Sequence, residues 1–89
     1  MEITPGQVVY SKCGRDKGGA FIVISAEDGY VYIADGKTRK LEKPKRKKVK
    51  HIQPTKYVFA EIKEKVINEG YLLDADLRKA LSKITHVKA

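Results

Sequence analysis

Along the first half of the chain, apolar positions come in short clusters separated by glycine-bearing turns; along the second half they recur at helical spacing. GQVVYSK leads into the glycine cluster GRDKGG, and AFIVISA leaves it, rich in the β-branched and aromatic residues that suit a pleated sheet. Glu27-Asp28-Gly29 is a hairpin signal, and Tyr30 to Ala34 reads as a third strand. Asp35-Gly36 marks a second tight turn, because glycine takes a positive φ without strain. Thr38 to Leu41 is expected as a fourth strand and Val49 to Ile52 as the closing one, with Pro54 ending the strand region. Short strands at this spacing predict a small barrel of about five strands, a shape that removes exposed sheet edges.

Side-chain parity adds a requirement. Phe21 and Val23 point to one face of the second strand, while Ala20, Ile22 and Ile24 point to the other. A strand apolar on both faces is covered on both, and a barrel has only one interior. The second half supplies the outer cover. Thr55 can cap a helix starting at Lys56, with Val58, Phe59, Ile62, Val66 and Ile67 on one face and Gly70 at its C-terminal end. Asp74 can cap a second helix with Leu77, Leu81 and Ile84 on one stripe. The expected fold is therefore mainly β with an α extension: a barrel over residues 1–55 and two short helices, within residues 56–89, packed on its outside.

Charge changes the picture most. The 89 residues carry a net charge of +8, with 19 basic and 11 acidic residues. Lys37 to Lys50 hold nine of the basic residues and one acid, Glu42; elsewhere ten bases and ten acids cancel. The whole net charge thus sits on one segment, the footprint of a surface that meets a polyanion. A merely solvated charged loop is the bland alternative. The remaining totals exclude more than they suggest. No apolar run reaches the roughly 18–20 residues of a membrane span, and MEITPGQVVY lacks the basic start and apolar stretch of a secretory leader. The single cysteine, Cys13, has no internal partner, and with two distant histidines it makes no zinc pattern. The expectation is a reduced, cytoplasmic, monomeric protein without metal or cofactor. Neither a Ser-His-Asp pattern, a P-loop nor a dinucleotide fingerprint is present, so no enzymatic role is expected.

The stretch QVVYSKCGRDKGGAFIVI, strand then GRDKG loop then strand, resembles a KOW motif, the unit found in SH3-like barrels of ribosomal proteins and NusG-type elongation factors. It is most similar to the large-subunit ribosomal protein family fourteen-e and to small bacterial KOW-domain RNA-binding proteins. The likeness runs on through YVYIADGKTRKLEKPKRKKVKHIQPT and covers roughly residues 4–55. By position, Gly14 resembles the motif's characteristic glycine, and Arg15, Lys17 and Gly18 match the loop that approaches RNA in ribosomal relatives. Phe21 departs from the pattern, standing where many KOW proteins have a glycine or a basic residue, so a tighter loop is expected. The resemblance implies an SH3-like barrel and a ribosome-associated role in translation, with ribosomal RNA or the large subunit as partner. The helical extension lies outside it.

The residues support that reading independently. The glycines permit a sharp loop whose amides can approach a phosphate, Arg15 offers a planar fork of donors, and Asp16 is expected to bond its own turn or restrain Arg15. An ordinary turn with exposed charges is the competing account of GRDKG. Lys37, Arg39, Lys40, Lys43, Lys45, Arg46, Lys47, Lys48 and Lys50 are the candidate phosphate ligands, on a basic run that is expected to be mobile until RNA orders it. Tyr30 and Tyr32 either stack bases or pack beneath the helices, and packing is favoured because the helices need a partner. His51 is either an RNA contact or structural, and Asp74 and Asp76 read as a cap and a first-turn acid. Two other functions stay open: a protein-docking module, and a nuclear address in PKRKKVK.

Overall fold

The computed structural model describes residues 3–85. The strands are β1 (Gln7–Ser11), β2 (Ala20–Glu27), β3 (Tyr30–Ala34), β4 (Lys45–Lys48) and β5 (Ile52–Val58); the helices are α1 (Ala60–Ile67) and α2 (Asp74–Thr85). All strands are antiparallel in one sheet, in the order β4-β3-β2-β1-β5. The tail of the expected helical extension, residues 86–89, lies outside the described residues.

Local chemistry explains the turns. Asp28 and Gly29 both have positive φ, 51° and 80°, the backbone of a two-residue hairpin turn whose twist matches its strands. The β2–β3 register slips between Val23 and Ser25, so Ile24 is the extra residue of a bulge that bends β2. The bend brings β3 and β4 toward β1 and β5, so that Val31 and Ile33 share a core with Val9 and Ile52, and the 3-10 turn Val49–His51 carries the chain from one edge to the other. Val49 N–H donates to the Gly29 carbonyl and Lys12 N–H to the His51 carbonyl, each at 2.9 Å, fastening the link at both ends.

Several expectations are corrected. Among the described residues no ladder joins β4 to β5, so the sheet is not a closed barrel. The fourth strand is Lys45–Lys48, inside the basic run; Thr38 to Leu41 belong to the loop before it. Val49 to His51 form the 3-10 turn, and β5 runs from Ile52 through Pro54 to Val58, past the expected boundary at residue 55. Pro54 is tolerated because β5 is an edge strand that need not donate outward. Thr55 caps no helix. Its hydroxyl donates to the Val8 carbonyl at 2.7 Å, and Gln7 Nε2 donates to the Thr55 carbonyl at 2.9 Å, where the β1–β5 register shifts. Side chains thus satisfy backbone groups that the ladder leaves unpaired. At the end of α1, Glu69 rather than Gly70 takes the left-handed conformation (φ 53°), while Gly70 N–H donates to the Lys65 carbonyl. For α2 the two acids exchange roles: Asp76 accepts from the Leu73 amide at 3.0 Å, the reciprocal bond of a helix start, while Asp74 reaches elsewhere.

The two-sided core is as the parity required. Val9, Phe21, Val23, Val31, Ile33 and Ile52 fill one face. On the other, Val8, Ile22 and Ala34 pack with Ile62 of α1 and Leu77, Ala80, Leu81 and Ile84 of α2. Phe59 and Val66 join at the margin, whereas Val58 and Ile67 are exposed. Among the described residues no helix is long and apolar enough to cross a membrane.

Leu77 is fully buried between helix and sheet. Leu77→Ala should lower the unfolding free energy by about 2–5 kcal/mol. Tyr71→Ala, at a residue 82% exposed, should change it by less than about 0.5 kcal/mol. Urea denaturation of both variants checks the contrast.

Candidate nucleic-acid interface

The GRDKG loop is closed by its own backbone. Lys17 N–H donates to the Gly14 carbonyl, Gly18 N–H to Ser11 and Gly19 N–H to Asp16, at 3.2, 2.9 and 2.9 Å. Gly14 and Gly18 both have positive φ, as the sharp loop requires. The amides of Lys17, Gly18 and Gly19 are thereby occupied within the loop, which leaves those of Gly14, Arg15 and Asp16 as the ones that could approach a phosphate. The loop also offers the exposed side chains of Arg15 and Lys17, with Gly18 exposed beside them. Phe21 is buried in the sheet core, and its ring lies close under Gly19.

The second element is the long β3–β4 loop, residues 35–44. Asp35 organises it: one carboxylate oxygen accepts from the amides of Lys37 and Arg39 at 2.9 and 2.8 Å, the other from the Thr38 hydroxyl at 2.8 Å. Asp35 and Gly36 amides both donate to the Arg39 carbonyl. This is why the stretch is a loop: the short acid supplies the backbone with an alternative to a ladder. Burial works to raise the Asp35 pKa, but hydrogen bonds from Arg39, Lys37 and Thr38 outweigh it and hold the carboxyl below its ordinary value.

The two loops are tied together. Asp16 does not restrain Arg15; its carboxylate takes Arg39 Nη2 at 3.0 Å. Two shallow concavities, one reaching Arg15 and the other Arg46, share Thr38 and Arg39 in their walls. Arg39 is half-buried and paired, whereas Lys37, Lys40 and Lys43 are exposed along the loop.

The basic run is not a loose arm, since half of it is strand β4. Arg46 and Lys48 are exposed, Lys45 is half-buried, and Lys50 is exposed just beyond. The Arg46 guanidinium lies 4.0 Å from the Tyr30 ring centroid, a diagonal cross-strand contact that restrains the charge without hiding it. Tyr30 and Tyr32 are half-buried, and Tyr30 serves as a rest for Arg46. His51 is half-buried, with its carbonyl held by Lys12.

Lys47 leaves the set of exposed cations. It sits opposite Val31, on the inner face, at 8% exposure. Its ammonium donates to Ser11 Oγ at 2.8 Å and to the Cys13 carbonyl at 2.6 Å. The side chain thus crosses the interior from edge strand β4 to the end of β1 and anchors the start of the GRDKG loop. A basic letter inside a basic run gives no signal of this; only its alternation with Arg46 and Lys48 marks it as inward-facing.

Asp74 and Arg78 belong to the surroundings of the site and were invisible to a reading of the basic segment. Asp74 Oδ1 accepts from the Leu41 amide at 2.8 Å, and Arg78 Nη1 donates to the Gly36 carbonyl at 2.6 Å. Among the described residues no group of three or more His, Cys, Asp or Glu is placed to hold a metal ion. The chain matches no family model and no curated protein.

Two outcomes test this geometry. Lys47→Ala should destabilise the fold by about 1–3 kcal/mol, because Ser11 Oγ loses its buried donor and the Cys13 carbonyl keeps only the Ser11 hydroxyl, whereas Lys48→Ala should leave stability within about 0.5 kcal/mol of the native value; thermal unfolding separates them. Because the Asp35 pKa is depressed on folding, its contribution is full above the ordinary value of 3.8 and is lost as pH falls through the folded value. The amide shifts of Lys37 and Arg39 should therefore stay constant on acidification until below 3.8. A transition above that value would contradict the hydrogen-bonded loop.

Proposed function

We propose that the protein is a non-enzymatic RNA-binding module that grips the phosphate backbone of structured RNA, with ribosomal RNA the leading candidate. The carrying observation is that its exposed cations are mounted on two ordered loops joined by the Asp16–Arg39 pair, and continue along β4. Arg15, Lys17, Lys37, Lys40, Lys43, Lys45, Arg46, Lys48 and Lys50 supply the positive face. Lys47 and Arg39 hold the scaffold. Such contacts give affinity and register rather than sequence choice.

The finer fold reading, an SH3-like KOW barrel, belongs to the same proposal. The bent β2, the edge-to-edge 3-10 link and the interior Lys47 crossing support it, since they bring the two sheet edges toward each other without a ladder. A protein-docking role is the second reading. It rests on Ile67, Tyr71 and Leu73, exposed at 59%, 82% and 46% around the α1–α2 connection.

With about five phosphates neutralised, log K should fall against log[salt] with a slope near −4.5 on a duplex, and less steeply on a single strand. The combined Lys43→Gln, Lys45→Gln, Lys48→Gln and Lys50→Gln variant keeps Lys47 and should make the slope less steep, by about 0.9 for each phosphate contact it removes. A slope near zero for the native chain would reject the proposal. Ribosome association that survives this variant and is lost in Ile67→Ser with Tyr71→Ser would favour docking.

A further inference from the structure

We infer that α2 is part of the nucleic-acid site, and that Asp74 is a positioning residue holding the basic loop 35–44 in its binding shape. The inference rests on the RNA reading above and deepens it.

Separate contacts fix the loop against the first turns of α2. The Leu41 amide is held by Asp74 Oδ1 at 2.8 Å, and the Gly36 carbonyl by Arg78 Nη1 at 2.6 Å. The loop backbone presses on the helix directly: Gly36 is buried, its φ is 77°, and a Cβ there would collide with the Asp74 carbonyl oxygen. Leu41 packs against the apolar cluster that α2 shares with the sheet. The contacts at Gly36 and Leu41 bracket Lys37 and Lys40. A groove lined by Lys37, Lys40, Arg78 and Leu81 runs between loop and helix, so Arg78 stands beside the two lysines as a further cation; the one acid in its wall, Asp35, is turned to the amides of Lys37 and Arg39.

The physical need is clear. Like charges on one loop repel and would spread it, and ordering such a loop on binding opposes affinity. A brace made before RNA arrives removes that cost. Asp74 is a costly residue to place near a phosphate site, since its charge repels the ligand. Its bond to Leu41 is what it contributes in return.

That conflict gives opposite signs to test. If Asp74 acts only through its charge, Asp74→Ala and Asp74→Asn both tighten binding of an RNA hairpin by the same factor. If Asp74 is the brace, Asp74→Ala weakens binding about 3- to 10-fold, while Asp74→Asn, which keeps an Oδ1 acceptor, binds at least as well as the native chain. Leu41 amide exchange should become fast in Asp74→Ala and stay slow in Asp74→Asn. Gly36→Ala changes no charge and pushes the loop off α2; it too should weaken binding. Amide protection at Ala80 and Leu81 verifies that α2 persists. Equal tightening in both Asp74 variants, or unchanged affinity in Asp74→Ala and Gly36→Ala while native binding is normal, overturns the inference alone. No binding of hairpin or single strand by the native chain overturns the function, and the inference with it.

Discussion

Phe21 and Ile22 are neighbours in β2, point to opposite faces and are both almost fully buried. Covering both faces of this small sheet is the constraint on which the rest of the molecule depends. One face is closed by bending β2 at Ile24 so that the sheet wraps its own core. The other face has no such recourse and is closed by α1 and α2. The helices are therefore not an appendage: without them Val8, Ile22 and Ala34 would face water, a loss that a chain of this size can ill tolerate.

The same constraint places the cationic surface. Wrapping brings β4 over the end of β1, which lets Lys47 cross the interior to Ser11 and Cys13. Docking the second helix sets Asp74 and Arg78 against the β3–β4 loop. Both loops are thus fastened to the core, one through Lys47 and one through α2, and to each other through Asp16 and Arg39. Positive charge is carried on hydrogen-bonded loops and a paired strand, the reverse of a flexible basic tail.

Much of this is legible in the letters. The parity of AFIVISA calls for two covers, Asp28-Gly29 calls for its hairpin, and Leu77, Leu81 and Ile84 mark the buried face of α2. What fails does so for local reasons. KRKK carries no apolar alternation, so β4 is silent, and its one buried residue is a lysine with polar partners inside. Thr38 to Leu41 resembles a strand until the Asp35 carboxylate captures the amides of Lys37 and Arg39. Thr55 has the chemistry of a cap, but its hydroxyl is needed at the β1–β5 irregularity. The site suffers most, because nothing about a lysine's identity says whether its ammonium meets water or a carbonyl. Contacts such as Asp74 to Leu41 join distant parts of the chain that only the fold brings together.

The central claim is that an ordered cationic face, built from the two loops and β4, meets RNA phosphates. The most direct measurement is an amide chemical-shift map recorded while a structured RNA is titrated into the native chain. Gripping by this face requires the largest shifts at residues 15–18, 37–43 and 45–50, with Ile67, Tyr71 and Leu73 unmoved. Shifts centred on the α1–α2 connection, or none anywhere at low salt, would contradict it.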